Sequence, residues 1–399
     1  MKHSKVILPV IVISQFCCTS LWFAGNGVIN DLVINFNLSE TALGHLTSAV
    51  QFGFIIGTLV FAILTIADRF SPSKVFLISA LLGSFFNLGV ISEANSLTSL
   101  LSLRFFTGFF LAGIYPVGMK IAADYYEKGL GKSLGFLVGA LVLGTALPHL
   151  LKEITDTLAW ESVLIGTSSL ALFGGVLMVI LVPDGPFRKP GQRTDLSAFF
   201  SVFENRKFRS AAFAYFGHMW ELYAFWAFVP IMLKTYNSAH PQAEFNIPLL
   251  SFLIIGIGGL ACVLGGYLAQ KAGPKRIAFI ALLLSCGCCL LSPLIFVTEF
   301  ENLFICFLLF WGMVVIADSP LLSTLVAQNA SAEIKGTALT IVNCIGFSVT
   351  IISIQLITVM IELTDSNGIY TVLALGPILG LIALSRKDKI IALKKAELH

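Results

Sequence analysis

The sequence predicts an all-α membrane protein of twelve transmembrane helices arranged as two pseudo-symmetric six-helix bundles. Three observations carry this prediction. The 399 residues are 57% hydrophobic and only 12% charged, about half the charge of an ordinary soluble domain. Apolar runs of about 17–25 residues, the length that crosses a hydrocarbon core, recur along the whole chain. Short matching segments also recur in order at a nearly constant spacing, as if the second half copied the first.

The first run, Val6–Ile29, is longer than a signal-peptide core and has no small-residue cleavage site after it, so it is expected to remain as a span. The others fall near Leu46–Ile66, Val75–Ile91, Leu97–Ala122, Leu134–Leu151, Val163–Val182, Ala211–Leu233, Ile247–Leu268, Ile277–Val297, Leu303–Ala327, Ala338–Ile361 and Ile369–Leu384. These runs must be helices, because lipid offers backbone groups no hydrogen bonds and the runs lack the alternation of barrel strands. The net charge of +3 is small and implies no nucleic-acid partner. Its distribution is more telling. Of 25 basic residues, 21 fall on the side holding the N-terminus, the even-numbered connections and the C-terminal tail; only Lys152 and Lys234 fall opposite, while Arg104 and Lys120 lie within the fourth span. That asymmetry predicts both termini in the cytoplasm of a cell with the protein in its inner (plasma) membrane.

The connection from Pro183 to Arg209 is rich in Pro, Gly and charge and reads as a linker. It divides the chain into an N-terminal bundle (1–184), a cytoplasmic linker (185–209) and a C-terminal bundle (210–399). "ADRFSPSKVF" from Ala67 matches "AQKAGPKRIA" from Ala269 at an offset of 202, and "SLWFAG" from Ser20 lies over "ELYAFW" from Glu221 at 201. Pro116 and Pro320 are 204 apart, and "GKSLG" from Gly131 matches "GTALT" from Gly336 at 205. Parallel repeats of this kind place a solute between the halves of a transporter.

All eight cysteines lie in apolar runs and behave as small hydrophobes, and the CxCC run Cys286–Cys289 has no nearby His or acid to suggest a metal. No phosphate-cradling GxxxxGK[ST] occurs, and Ser, His and Asp never gather as a catalytic set. The chain is therefore read as no enzyme, with no cofactor and no metal.

The loop between spans two and three, and its copy between eight and nine, resemble the major facilitator superfamily signature G-x-L-x-D-R-x-G-R-R. The first copy keeps Asp68 and Arg69 but has Leu64 and Ser71 at the glycine positions; the second keeps Gly266, Leu268, Gly273, Lys275 and Arg276 but has Gln270 for the acid. "RFFTG", Arg104 to Gly108, is similar to the R-x-x-x-G motif of span four. Span five lacks the Gly-Pro pair of drug antiporters, and spans two and eight lack the interior arginines of nitrate transporters. The resemblance implies the superfamily fold, with a central cavity lined mainly by spans one, four, seven and ten.

The membrane-embedded ionisable residues concentrate on those spans: Arg104 and Lys120 on four, with Lys120 close enough to the cytoplasm to snorkel, His218 and Glu221 on seven, Asp318 on ten. An ionisable group inside a membrane is costly and marks a functional position by default. At about 1.5 Å rise per residue, Glu221 and Asp318 each lie on the order of 15 Å from the cytoplasmic end of their spans, near mid-membrane. Glu221, Asp318 and His218 are therefore the expected proton-coupling residues, facing a chamber between the bundles. Arg104 has the donor fork to clamp an anion, or alternatively to bind helix carbonyls. Tyr115, Gln15, Asn26, Trp311, Tyr223 and Asn343 complete the expected solute site; for Gln15, Asn26 and Asn343, hydrogen bonding between helices is the competing reading. Trp311, seven residues before Asp318, is read as a cavity wall, and Trp22 and Trp226 as packing or lipid-facing residues. Asp68, Arg69, Asp124, Glu127 and Lys271 are the expected gate contacts.

The expectation is a monomeric secondary transporter moving a small polar solute, anionic or zwitterionic, by alternating access coupled to protons or another ion. Proton-driven efflux of a drug-like or cationic compound, and a non-transporting membrane sensor, are the alternatives.

Overall fold

A computed structural model of the chain describes residues 4–126, 130–188, 201–331, 335–364 and 366–385. Among these, every regular element is a helix, and they form the twelve predicted spans. Span one consists of Ser4–Thr19, Ala24–Gly27 and Ile29–Asn35; spans two and three are Ala42–Ile63 and Pro72–Gly89; span four is Leu97–Leu111 and Tyr115–Tyr125. Leu130–Ile154 and Glu161–Leu181 are spans five and six. Arg206–Ala239, Ile247–Ala272 and Pro274–Phe296 are spans seven to nine, and Glu301–Ala317 with Ser319–Asn329 is span ten. Span eleven is Lys335–Leu363, and span twelve opens as a 3₁₀ helix, Asn367–Ala374, before Leu375–Ser385. Ten of these are long and apolar enough to cross a membrane. Span one falls short because it is interrupted; span seven has 34 residues, but His218, Glu221 and its Trp and Tyr residues make it more polar.

The interruptions are the main departure from twelve plain rods. Spans four and ten each restart on a proline, Pro116 and Pro320, which stands in the first turn where its missing N–H costs nothing. Span one breaks without proline. Thr19 Oγ1 donates back to the Gln15 carbonyl (2.9 Å) and Ser20 Oγ to the Cys17 carbonyl (2.7 Å), while the carbonyls of Leu21 and Trp22 turn outward to another span.

Packing repeats with the sequence. Span four lies on span two where Gly108 meets Val50, and span ten lies on span eight where Gly312 meets Ile254. Both residues of the second pair stand 204 positions after those of the first. A Cβ on Gly108 would come 2.0 Å from the Val50 carbonyl oxygen, and one on Gly312 would come 1.9 Å from that of Ile254. Only glycine permits these backbone-to-backbone crossings. Spans one and six, and seven and twelve, pair in the same way. Between the halves, span five packs along span eight and span eleven along span two. Gly139 and Gly259 meet at the first of these seams, each one's Cβ position 3.1–3.2 Å from the other's carbonyl oxygen.

Large exposed hydrophobics, among them Phe85, Ile180, Leu260 and Leu294, line the outer surface, as a lipid-facing wall requires. Gly108→Ala and Gly312→Ala should each lower the melting temperature of the solubilised protein, consistent with a packing cost of about 1–3 kcal/mol. Gly266→Ala, with nothing within 4 Å of its Cβ position, should leave the melting temperature unchanged in the same thermal-shift assay.

Candidate functional site

Three of the buried ionisable residues, His218, Glu221 and Asp318, gather in the C-terminal half. His218 and Glu221 stand one turn apart on span seven, and Asp318 occupies the break of span ten; all three are about 1% exposed. His218 Nδ1 lies 2.8 Å from Asp318 Oδ1. The contact is close but not an aligned hydrogen bond, since neither Asp318 oxygen has a donor in hydrogen-bond geometry among the described residues and His218 Nε2 has no partner there. Three donors converge on one oxygen of Glu221, Oε1: Trp311 Nε1 at 2.6 Å, Cys289 Sγ at 3.3 Å and Ser285 Oγ in a short contact. Asp318 is within electrostatic reach of Glu221 and of Cys262 on span eight. The sequence alone placed Glu221 against the chamber between the halves. Its hydrogen bonds instead run to spans nine and ten, inside its own bundle, and Trp311 serves that carboxyl rather than lining a wall.

Arg104, buried in the N-terminal half, has no acid beside it. Nη1 donates to Asn87 Oδ1 of span three (2.9 Å), and Nη2 donates to the carbonyls of Leu21 (3.2 Å) and Trp22 (2.6 Å). These are the carbonyls freed by the break in span one, and Gly25 leaves room for the side chain, its Cβ position 3.3 Å from Nε. Of the two readings open for Arg104, the hydrogen bonds match the donor to helix carbonyls.

The neutral candidates divide. Asn26 donates to Thr47 Oγ1 (2.8 Å) and Asn343 accepts from the Tyr215 hydroxyl (2.8 Å), so both hold neighbouring helices. Gln15 is fully buried, with neither amide atom bonded. Tyr115, half-buried on the N-terminal side, is within electrostatic reach of Tyr215 and Tyr223 across the interface. Tyr215 also packs on His218, ring centroids 6.1 Å apart and planes tilted by 46°, which joins the tyrosines to the ionisable cluster.

Of a second group, sequence reasoning singles out only Tyr223 for the solute site. Trp22 and Phe54 from the first half meet Tyr223 and Phe347 from the second, with Trp22 stacked at 5.7 Å on Tyr223 and 5.6 Å on Phe347. Trp226 closes the cluster at 5.3 Å from Tyr223. Gln51, one turn before Phe54 on span two, is buried with both amide atoms unbonded. A glutamine in the middle of an apolar run was the available signal.

The gate residues fall into separate places. Lys120 Nζ bridges Asp68 Oδ1 (2.9 Å) and Asp124 Oδ1 (3.4 Å), although the sequence pointed only to snorkelling for this lysine. Arg188 adds donors to the carbonyls of Asp68 and Phe70 and pairs with Asp184. This network ties the turn after span two to the ends of spans four and six, all within the N-terminal half. Arg69 and Lys271 are exposed, and Glu127 lies outside the described residues. The polar contacts that cross between halves lie mostly at the opposite end, where Asn246 donates to Glu153 (2.7 Å) and Gln355 donates to the Gly44 carbonyl (3.0 Å) and Ser48 Oγ (2.8 Å).

The family model of the Major Facilitator Superfamily matches residues 11–354. The chain belongs to the major facilitator superfamily. Its fold is that of the superfamily: the proton:xylose symporter XylE superposes with a TM-score of 0.74 at 15% identity, covering 96% of this chain and 95% of that one. A bacterial homologue of the human lysosomal transporter Spinster, in an inward-facing, unoccupied conformation, gives 0.65 at 15% identity over 96% and 95%. Among sequences, the putative niacin/nicotinamide transporter NiaP of Bacillus subtilis (strain 168) is 27% identical over 161 residues, 40% of this chain and 39% of NiaP. The chain is thus a multi-pass membrane protein of a superfamily of transporters rather than of enzymes.

Arg104→Leu should destabilise the protein strongly, because it strands two carbonyls and the Asn87 oxygen at about 1–3 kcal/mol for each unsatisfied group. Arg104→Lys should lie between Arg104→Leu and the wild type, which melting curves of the purified variants will check.

Proposed function

We propose that this transporter moves a small polar, anionic or zwitterionic solute by alternating access, driven by protons that load and leave the His218–Asp318–Glu221 cluster. The close approach of His218 to Asp318 at the break of span ten, with Glu221 one turn away, is the observation that carries this reading. Two carboxyls and an imidazole in one dry pocket cannot all be charged cheaply, since an unpaired buried ion costs several kcal/mol. When the pocket takes up a proton, the charge of the cluster changes by one unit. The preferred packing of span seven on span ten changes with it, because the contact between an imidazolium and a carboxylate is lost when either is neutral. Such a change can bias the two halves between outward and inward arrangements.

The Lys/Arg asymmetry supports an inner-membrane protein with both termini in the cytoplasm. In that orientation the halves are joined by polar contacts on the outer side, and the Asp68–Lys120–Asp124 network braces the N-terminal bundle on the inner side. Arg69 and Lys271, both exposed, keep their proposed role as gate contacts in another state of the cycle. The names of NiaP and XylE supply first solutes to try, niacin, nicotinamide and xylose.

In proteoliposomes under an imposed pH gradient, the solute should accumulate only with inward proton flow. Glu221→Gln and Asp318→Asn should each abolish that accumulation while leaving size-exclusion profiles unchanged. Accumulation against the proton flow would instead mean antiport, binding without flux would mean a sensor, and full activity in both variants would remove the two carboxyls from the mechanism.

A further inference from the structure

The cross-half aromatic cluster contains polar atoms that packing alone leaves unexplained. Trp22, Phe54, Tyr223, Trp226 and Phe347 come from four spans and both halves, and each is no more than 2% exposed. The Trp22 and Trp226 indole N–H groups, and both amide atoms of Gln51, have no hydrogen-bond partner among the described residues. Leaving such atoms unbonded costs about 1–3 kcal/mol each, and tryptophans buried for packing alone ordinarily find a partner for the N–H. Nearly parallel faces, 29° between Trp22 and Tyr223 and 27° between Trp22 and Phe347, belong to opposite halves. They must part when the halves rock.

We propose that this cluster is the solute-binding platform and that it selects a planar conjugated ring carrying a hydrogen-bond acceptor, such as an aromatic carboxylate or carboxamide. The ring slides between Trp22 on one side and Tyr223 with Phe347 on the other. The acceptor takes the indole N–H of Trp22 or Trp226, which donate only, and Gln51 supplies either a donor or an acceptor to a ring nitrogen or carboxamide. This rests on the transporter reading above and names its substrate class. A saturated ring of the same size cannot lie flat between the aromatic faces, so it loses the stacking while keeping the acceptor.

Equilibrium dialysis of the purified wild-type protein with radiolabelled nicotinate, nicotinamide and benzoate, competed by piperidine-3-carboxylate and cyclohexanecarboxylate, tests the class. At least one planar ring should bind about tenfold or more tighter than its saturated counterpart, as loss of a stacking contact predicts. Trp22→Leu should weaken that binding about tenfold or more. Trp22→Phe, which keeps the ring and loses the N–H, should weaken it less, and Gln51→Leu should weaken nicotinate or nicotinamide more than benzoate. Melting curves confirm that each variant is folded. Equal binding of planar and saturated rings, no binding of any planar ring at millimolar concentration, or unchanged affinity in folded Trp22→Leu and Gln51→Leu would overturn the proposal. The same solutes in the pH-gradient assay separate it from the transport reading: an aliphatic solute accumulating alone sinks the platform and keeps proton-driven transport, whereas planar binding without flux does the reverse.

Discussion

The grip of Arg104 on the carbonyls of Leu21 and Trp22 sets the centre of this molecule. A helix that breaks inside a membrane exposes carbonyls that lipid cannot satisfy, and span one breaks near mid-membrane with no proline to account for it. One guanidinium, steadied by Asn87 from span three, supplies the missing donors. Because the break is held there, the backbone turns at Trp22 and delivers the indole to the seam between the halves, against Tyr223 and Phe347. The arginine's bonded donors thus go to main chain and to Asn87, and they hold the turn that carries the indole.

The two halves share an architecture but not a chemistry. Glycine crossings at matching positions in the two repeats give both bundles the same internal frame. Within that frame the first bundle buries a cation satisfied by neutral oxygens, and the second buries two carboxyls and an imidazole. Duplication supplied two equivalent scaffolds; the buried pair His218–Asp318 and the buried Glu221 belong to the second, while His149 and Asp124 are buried in the first. The aromatic seam is shared, so the solute proposed for it and the proton cluster would meet through span seven, which carries Glu221 on one face and Tyr223 and Trp226 on others.

The helical class, the number of spans and the repeat were legible because each follows from average hydropathy and from residue types at fixed offsets, which need no knowledge of side-chain direction. Gathering of the ionisable residues on spans four, seven and ten was visible for the same reason. What the sequence did not disclose was orientation. Glu221 could equally face the seam or its own bundle on a regular helix, and only the donors Ser285, Cys289 and Trp311 decide it. Span one looked continuous because Ser20 to Phe23 is as apolar as its flanks and includes no proline; the cause of its interruption lies more than eighty residues away, on span four. Lys120 looked like a snorkelling side chain because its two acids, Asp68 and Asp124, are brought to it by the turn after span two and the last turn of span four. Trp22 and Trp226 looked like packing or lipid-facing residues, since an unbonded N–H is a property of the assembled fold and not of a local pattern.

At the seam between spans five and eight, Gly139 and Gly259 place bare main chain against bare main chain. Where side chains interlock, one body turning against another must climb over successive knobs; at this one crossing the teeth are missing, with Leu143 the nearest knob, its Cγ 3.2 Å from the Gly259 Cβ position. The seam is therefore suited to behave as a bearing, on which a rocking motion meets little friction and returns along the path it came by.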